Sequence, residues 1–110
     1  MSSKPLQTNV KVLTPDFILM RCKTDKLTQI KNLNLWGNDL EDVSELKNLP
    51  NMEICSLSLN KISTLKPFSK SKKLKELYLR KNQIANLQEL KHLSGLKELK
   101  VLWLWDNPIC

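Results

Sequence analysis

Glycine, histidine and arginine are nearly missing from this chain, and each gap removes a kind of chemistry. With only Gly37 and Gly95, no glycine-rich loop is available to cradle a phosphate. The single histidine, His92, falls near the end of an expected surface helix, where an exposed imidazole is ordinary. No serine or cysteine stands at a spacing that would give it a base. Cys22, Cys55 and Cys110 are an odd number without a short pairing motif, which argues against a disulfide framework and against a zinc site. No catalytic residue, cofactor or metal is therefore expected, and the chain reads as a non-enzyme. Long apolar runs are missing too: Phe17-Ile18-Leu19-Met20 falls far short of a bilayer span. The opening Met1-Ser2-Ser3-Lys4-Pro5 has no apolar leader segment. A soluble protein of the cytoplasm or nucleus is expected, with no membrane insertion.

Acidic residues are the minority, 11 against 18 basic ones, for a net charge of +7. Sixteen of the basic residues are lysine, and only Arg21 and Arg80 are arginine. The densest run is Ser69-Lys70-Ser71-Lys72-Lys73-Leu74-Lys75. Lysine without clustered arginine or interleaved aromatics reads as a solvated surface, so nucleic acid is not the expected partner.

Leucine and asparagine, by contrast, recur at fixed intervals. Leu74, Leu77, Leu79, Asn82 and Ile84 spell Leu-x-x-Leu-x-Leu-x-x-Asn-x-Ile. The same frame falls 22 positions earlier on Met52, Cys55, Leu57, Asn60 and Ile62, and 22 before that on Ile30, Leu33, Leu35, Asn38 and Leu40. It falls 25 positions later on Leu99, Leu102, Leu104, Asn107 and Ile109. A period of this length, with one short strand and one return per unit, is the leucine-rich-repeat signature. The expected fold is an α/β solenoid of about four repeats of 22–25 residues.

Residues 1–13 read as a flexible lead-in and 14–110 as the repeat domain, with repeats from about residue 27. Thr14-Pro15-Asp16 is a helix start, with Thr as N-cap and Pro at the first helical position. A capping helix is expected over about 15–26, covering the first repeat with Phe17, Met20, Thr24 and Leu27. Asp42-Val43-Ser44-Glu45 and Asn86-Leu87-Gln88-Glu89 have capping-box spacing. They predict short helices with Val43, Leu46 and Leu49, and Leu87, Leu90 and Leu93, turned inward. Pro67 in the second return predicts a 3₁₀ turn packed through Leu65 and Phe68. Ser94-Gly95 should end the last helix before Leu96 rejoins the pattern. Because the sequence stops two residues past Pro108, the last repeat is expected to lack a C-terminal cap. Association through that open edge is then expected.

Within each repeat the residues five and three before the asparagine alternate with other types, which means a strand with those side chains in the core. Cys55 takes a leucine position and reads as a small core residue. Asn38, Asn60, Asn82 and Asn107 should form a structural ladder, each carboxamide satisfying turn backbone. The intervening positions must line the concave face, and all three tryptophans and the one tyrosine of the chain fall there. Trp36, Tyr78, Arg80, Trp103 and Trp105 are the candidate partner-binding residues, since Trp, Tyr and Arg dominate binding hot spots.

The stretches Leu33-Asn34-Leu35-Trp36-Gly37-Asn38, Leu77-Tyr78-Leu79-Arg80-Lys81-Asn82 and Val101-Leu102-Trp103-Leu104-Trp105-Asp106-Asn107-Pro108 are more distinctive than the leucine ladder. From about Val12 to its end the chain resembles the leucine-rich-repeat domain of the cilia- and flagella-associated protein 410 family. The resemblance implies a non-catalytic adaptor of cilia, flagella and basal bodies, acting in cilium formation and associated with NIMA-related kinases. Members of that family continue into a C-terminal cap and a distal helical segment, so the resemblance also implies that this sequence is a fragment. An alternative resemblance, to the spliceosomal A-prime subunit, implies a nuclear RNA-associated protein that would use Lys72, Lys73 and Lys75.

Overall fold

The computed structural model describes residues 10–110. Four three-residue strands, β1 (Asn32–Asn34), β2 (Ile54–Ser56), β3 (Glu76–Tyr78) and β4 (Val101–Trp103), form one parallel sheet in sequence order. Its register follows the repeat frame: Leu33 lies beside Cys55, Cys55 beside Leu77, and Leu77 beside Leu102. Leu33, Leu35, Cys55, Leu57, Leu77 and Leu79 are fully buried. Leu102 and Leu104 are half-buried and pack on the core from one side. The expected solenoid is therefore present, with its core between the sheet and the returns.

The returns are 3₁₀ throughout, at Ser44–Asn48, Lys66–Phe68 and Leu87–Leu93. Short α-helices were expected in the first and third, and two causes exclude them. Buried residues of the returns recur every third position, not every 3.6: Leu40, Val43, Leu46, Leu49 and Met52 in the first, Ile62, Leu65, Phe68, Ser71 and Leu74 in the second, Leu93 and Leu96 in the third. Matching backbone bonds link Leu46 N–H to Val43 O, Leu49 to Leu46 and Met52 to Leu49, and the same steps recur from Leu65 to Leu74. A 3₁₀ path rises about 2.0 Å per residue against 1.5 Å for an α-helix, so it crosses the convex side with fewer residues. Neither capping box closes, either. The Asp42 N–H donates to Lys11 O, and Glu45 accepts from Asn48 Nδ2 at 2.9 Å.

In the third return Glu89 reaches sideways into the second. Its carboxylate accepts from the Thr64 hydroxyl at 2.7 Å and from the Leu65 N–H at 2.8 Å. These bonds hold its pKa below the ordinary carboxylate value, the backbone N–H contributing most. Between Ile84 and Leu99 this repeat has one more step of three than the others, with Leu93 and Leu96 buried, Leu90 half-buried and Leu87 the step that turns out. It is 69% exposed rather than inward. The second return contains a volume exchange. Phe68 stands where the first and third have Leu46 and Leu93, and Ser71 where they have Leu49 and Leu96. Both are buried, and the larger ring offsets part of the volume that the smaller residue gives up. Among the described residues, Ser71 Oγ is the one buried side-chain polar atom without a hydrogen-bond partner.

The N-terminal cap is shorter than expected. Helix α1 spans Pro15–Cys22, with the Thr14 hydroxyl accepting from the Phe17 N–H, and ends because Lys23 turns left-handed at φ 55°. Thr24 thus lies beyond the helix. Ile18 is its buried residue, with Phe17 and Cys22 beside it on the core, while Met20 is 64% exposed. The lead-in expected over 1–13 lies outside the described residues up to residue 9. Its last part is already structured: Leu13 is buried and donates to Asp42 O at 2.8 Å, and Lys11 O accepts from Glu41 and Asp42.

The asparagine ladder joins the repeats. Asn60 Oδ1 accepts from the N–H groups of Asn38 and Leu40, while its Nδ2 donates to Leu35 O and Leu57 O. Asn82 takes Ile62 N–H and gives to Leu57 O and Leu79 O. Asn107 takes Ile84 N–H and gives to Leu79 O and Leu104 O. Asn38, first in line and half-buried, bonds through Nδ2 to carbonyls of its own repeat alone.

Removing a ladder carboxamide strands buried backbone groups of two repeats, so Asn82→Ala should cost about 1–3 kcal/mol in urea unfolding, and Asn38→Ala measurably less. Glu89 is more acidic in the folded chain than in the unfolded one, so the unfolded chain takes up the proton first and stability falls with pH. Between about pH 5 and pH 3 the melting temperature of the wild type should drop more steeply than that of Glu89→Gln.

Candidate functional site

Parallel register aligns the concave side chains in rows across the sheet. Asn34, Ser56, Tyr78 and Trp103 form one row within the paired strands. Trp36, Ser58, Arg80 and Trp105 form the next, which stays aligned because Gly37 N–H donates to Ser58 O, Leu59 N–H to Arg80 O and Lys81 N–H to Trp105 O. The five candidate residues thus come from three repeats onto one surface. Trp36, Trp103 and Trp105 are 58%, 52% and 71% exposed.

The rings do not form one continuous patch. Tyr78 and Trp103 meet edge to face, with centroids 4.9 Å apart and planes at 88°. Trp36 stands two strands away, and Ser56 and Ser58 leave a low floor between. The result is an open trough of about 400 Å³ lined by Trp36, Tyr78, Arg80 and Trp103. Trp105 lies outside it and shares an adjoining hollow with Arg80 and Trp103.

Polar groups around the trough are partly committed. The Tyr78 hydroxyl donates to Glu76 Oε1 at 2.5 Å, and this bond raises the phenol pKa above its ordinary value. Arg80 Nε lies 3.5 Å from Asp106 Oδ2, with both side chains more than half exposed. Such a solvated pair contributes little and exchanges readily for another carboxylate. The histidine lies elsewhere, on the third return, with Nε2 3.7 Å from Glu89. All three cysteines are free thiols, and burial pushes Cys55 far above its ordinary pKa. Among the described residues no three His, Cys, Asp or Glu side chains come together as a metal-binding group.

Sequence reasoning missed Leu59 and Lys81, which also line the trough. Both precede a ladder asparagine, and that position turns left-handed in every repeat: Gly37 at φ 69°, Leu59 at 60°, Lys81 at 58° and Asp106 at 59°. Glycine adopts this conformation freely, whereas a leucine is strained there. Leu59 is nonetheless 38% exposed, at the mouth of the trough. The signal was present in the sequence as an apolar residue at a position the repeat pattern leaves free.

Registered three-residue strands, 3₁₀ returns and an internal asparagine ladder define a leucine-rich-repeat solenoid. The family model described as leucine-rich repeats in two copies matches residues 72–110. Internalin C2 of Listeria monocytogenes superposes with a TM-score of 0.67 at 28% identity, over 73% of this chain and 34% of that one. Cilia- and flagella-associated protein 410 of Homo sapiens is 47% identical over 98 residues, which is 89% of this chain and 38% of the relative. The Mus musculus protein of the same name is 44% identical over 98 residues, 89% of this chain and 39% of the relative. The chain is a leucine-rich-repeat domain related to the cilia- and flagella-associated protein 410 family, and it spans about two fifths of the length of those relatives.

Replacing Leu59 with glycine separates strain from packing. Leu59→Gly should raise stability in urea unfolding by about 0.5–1 kcal/mol, because the left-handed leucine is relieved. A loss of stability would show that the leucine is there to pack.

Proposed function

We propose that the protein is a non-catalytic adaptor of cilia or flagella that holds a protein partner in its concave trough. The observation carrying this reading is the position of the aromatic side chains. The sheet already packs on its other face, so exposed tryptophans on the concave side have no folding duty that a polar residue could not discharge. Large aromatics beside an arginine are the side chains from which hot spots are made. A weakly paired Arg80 suits a partner segment that brings a carboxylate near an apolar or aromatic side chain. Kinship to ciliary proteins supports action in the cytoplasm, cilium and basal body during cilium formation. It also makes a NIMA-related kinase the first partner to test.

In calorimetric titrations against such a kinase, Trp36→Ala, Tyr78→Ala and Trp105→Ala should each weaken binding by about 2 kcal/mol. Their unfolding free energies should change little, apart from the edge-to-face contact of Tyr78, which contributes about 0.5–1.5 kcal/mol. Wild-type affinity in all three variants would refute the concave site.

A further inference from the structure

The lysine run that opens the third repeat takes no part in the trough, and the fold gives it neighbours the sequence does not. Backbone bonds place Lys31, Glu53, Lys75 and Lys100 in line at the entry to the four strands: Glu53 N–H donates to Lys31 O, Lys75 to Glu53 O, and Lys100 to Lys75 O. In the turn just before, Lys73 Nζ bonds to Asn51 Oδ1 at 2.9 Å. The Lys72 ammonium hangs over the next repeat, where a Cβ added to Gly95 would meet its Nζ at 3.2 Å, two residues before Lys97. Repeats three and four therefore gather Lys72, Lys73, Lys75, Lys97 and Lys100 on one lateral edge. Two carboxylates oppose them: Glu98, and Glu53, which Lys75 engages at 3.3 Å.

We propose that this edge is a second binding surface, separate from the trough, for an extended Asp/Glu-rich segment of a protein partner. Charge complementarity carries the assignment. Neighbouring strands stand about 4.8 Å apart, which puts Lys75 and Lys100 on adjacent rungs with Lys72, Lys73 and Lys97 in the turns just before them, a span that an extended acidic chain can follow. Ammonium groups on long flexible stems accept carboxylates without a fixed geometry. RNA fits this edge less well, because bases are held by stacking on aromatic or guanidinium planes. The aromatics lie at the other ends of the strands, and neither arginine belongs to the edge. A lipid surface fits less well too, because none of the large exposed apolar side chains falls in the segments that build the edge, 70–75 and 95–100, and peripheral binding needs one to insert.

The test uses the intact chain and a fluorescent glutamate-rich peptide read by anisotropy, with oligouridine RNA and phosphatidylserine vesicles as rival probes. The paired substitution Lys72→Glu/Lys73→Glu should weaken peptide binding by at least about tenfold, whereas Lys47→Glu/Lys61→Glu, with the same change of net charge, should weaken it by less than about twofold. Trp36→Ala, which alters the trough wall, should bind the peptide as the wild type does, which separates this edge from the trough. Should charge reversal disturb the circular dichroism spectrum, Lys72→Gln/Lys73→Gln replaces it and must show a clear loss and a shallower salt dependence. Three results overturn the proposal: equal weakening by the control pair, RNA or vesicles bound at least as tightly as the peptide, or no peptide binding at about 50 mM salt.

Discussion

A carboxamide at the end of each strand makes the stack of repeats possible. Where the chain leaves a strand and turns left-handed, its N–H and C=O groups point away from any regular partner beside a buried core. Asn60, Asn82 and Asn107 resolve this by facing both ways. Each oxygen takes at least one N–H from the repeat before, and each nitrogen gives to carbonyls of both repeats. No apolar side chain could do this, and a longer amide would not fit the same turn. Strand register, core alignment and the rows of the concave face all follow once the turns are locked at a common height.

The concave surface inherits its order from that locking. Tyr78 meets Trp103, and Arg80 comes between Ser58 and Trp105, because strands in register bring equivalent positions side by side. Little energy is spent on arranging these side chains, since the leucines behind the sheet already fix the backbone. The lateral lysines are aligned by the same bonds at the strand entrances. One scaffold thus presents an aromatic trough and a cationic edge at opposite ends of the same short strands.

Much of this was legible in the sequence, and the failures have physical causes. Residues repeated at matching positions announced the strands, their buried leucines, the asparagine ladder and the concave row from Trp36 to Trp105. The returns were misread because a capping-box spacing says nothing about competitors for its groups. Lys11 O took the Asp42 N–H, and Thr64 and Leu65 took Glu89. Leu87 was misplaced because its repeat is three residues longer, and periodicity alone does not say which of the extra steps turns outward. Ile18 was missed in favour of Phe17 and Met20 because a helix of eight residues is too short for its periodicity to define a face. Leu59 could not be weighed from sequence, since its backbone conformation gives it significance and only the fold reveals that.

The exchange of Phe68 and Ser71 for the leucine pairs around them has a consequence for how such a chain can change. Phe68 gives back part of the interior volume that Ser71 removes, so the second repeat is not an interchangeable cassette. Transplanting a neighbour's return would have to replace both positions together, because one alone crowds the interior or hollows it. A solenoid is often pictured as beads that can be added, dropped or shuffled freely. Here two positions three residues apart are coupled, and a change at one alters the room left for the other.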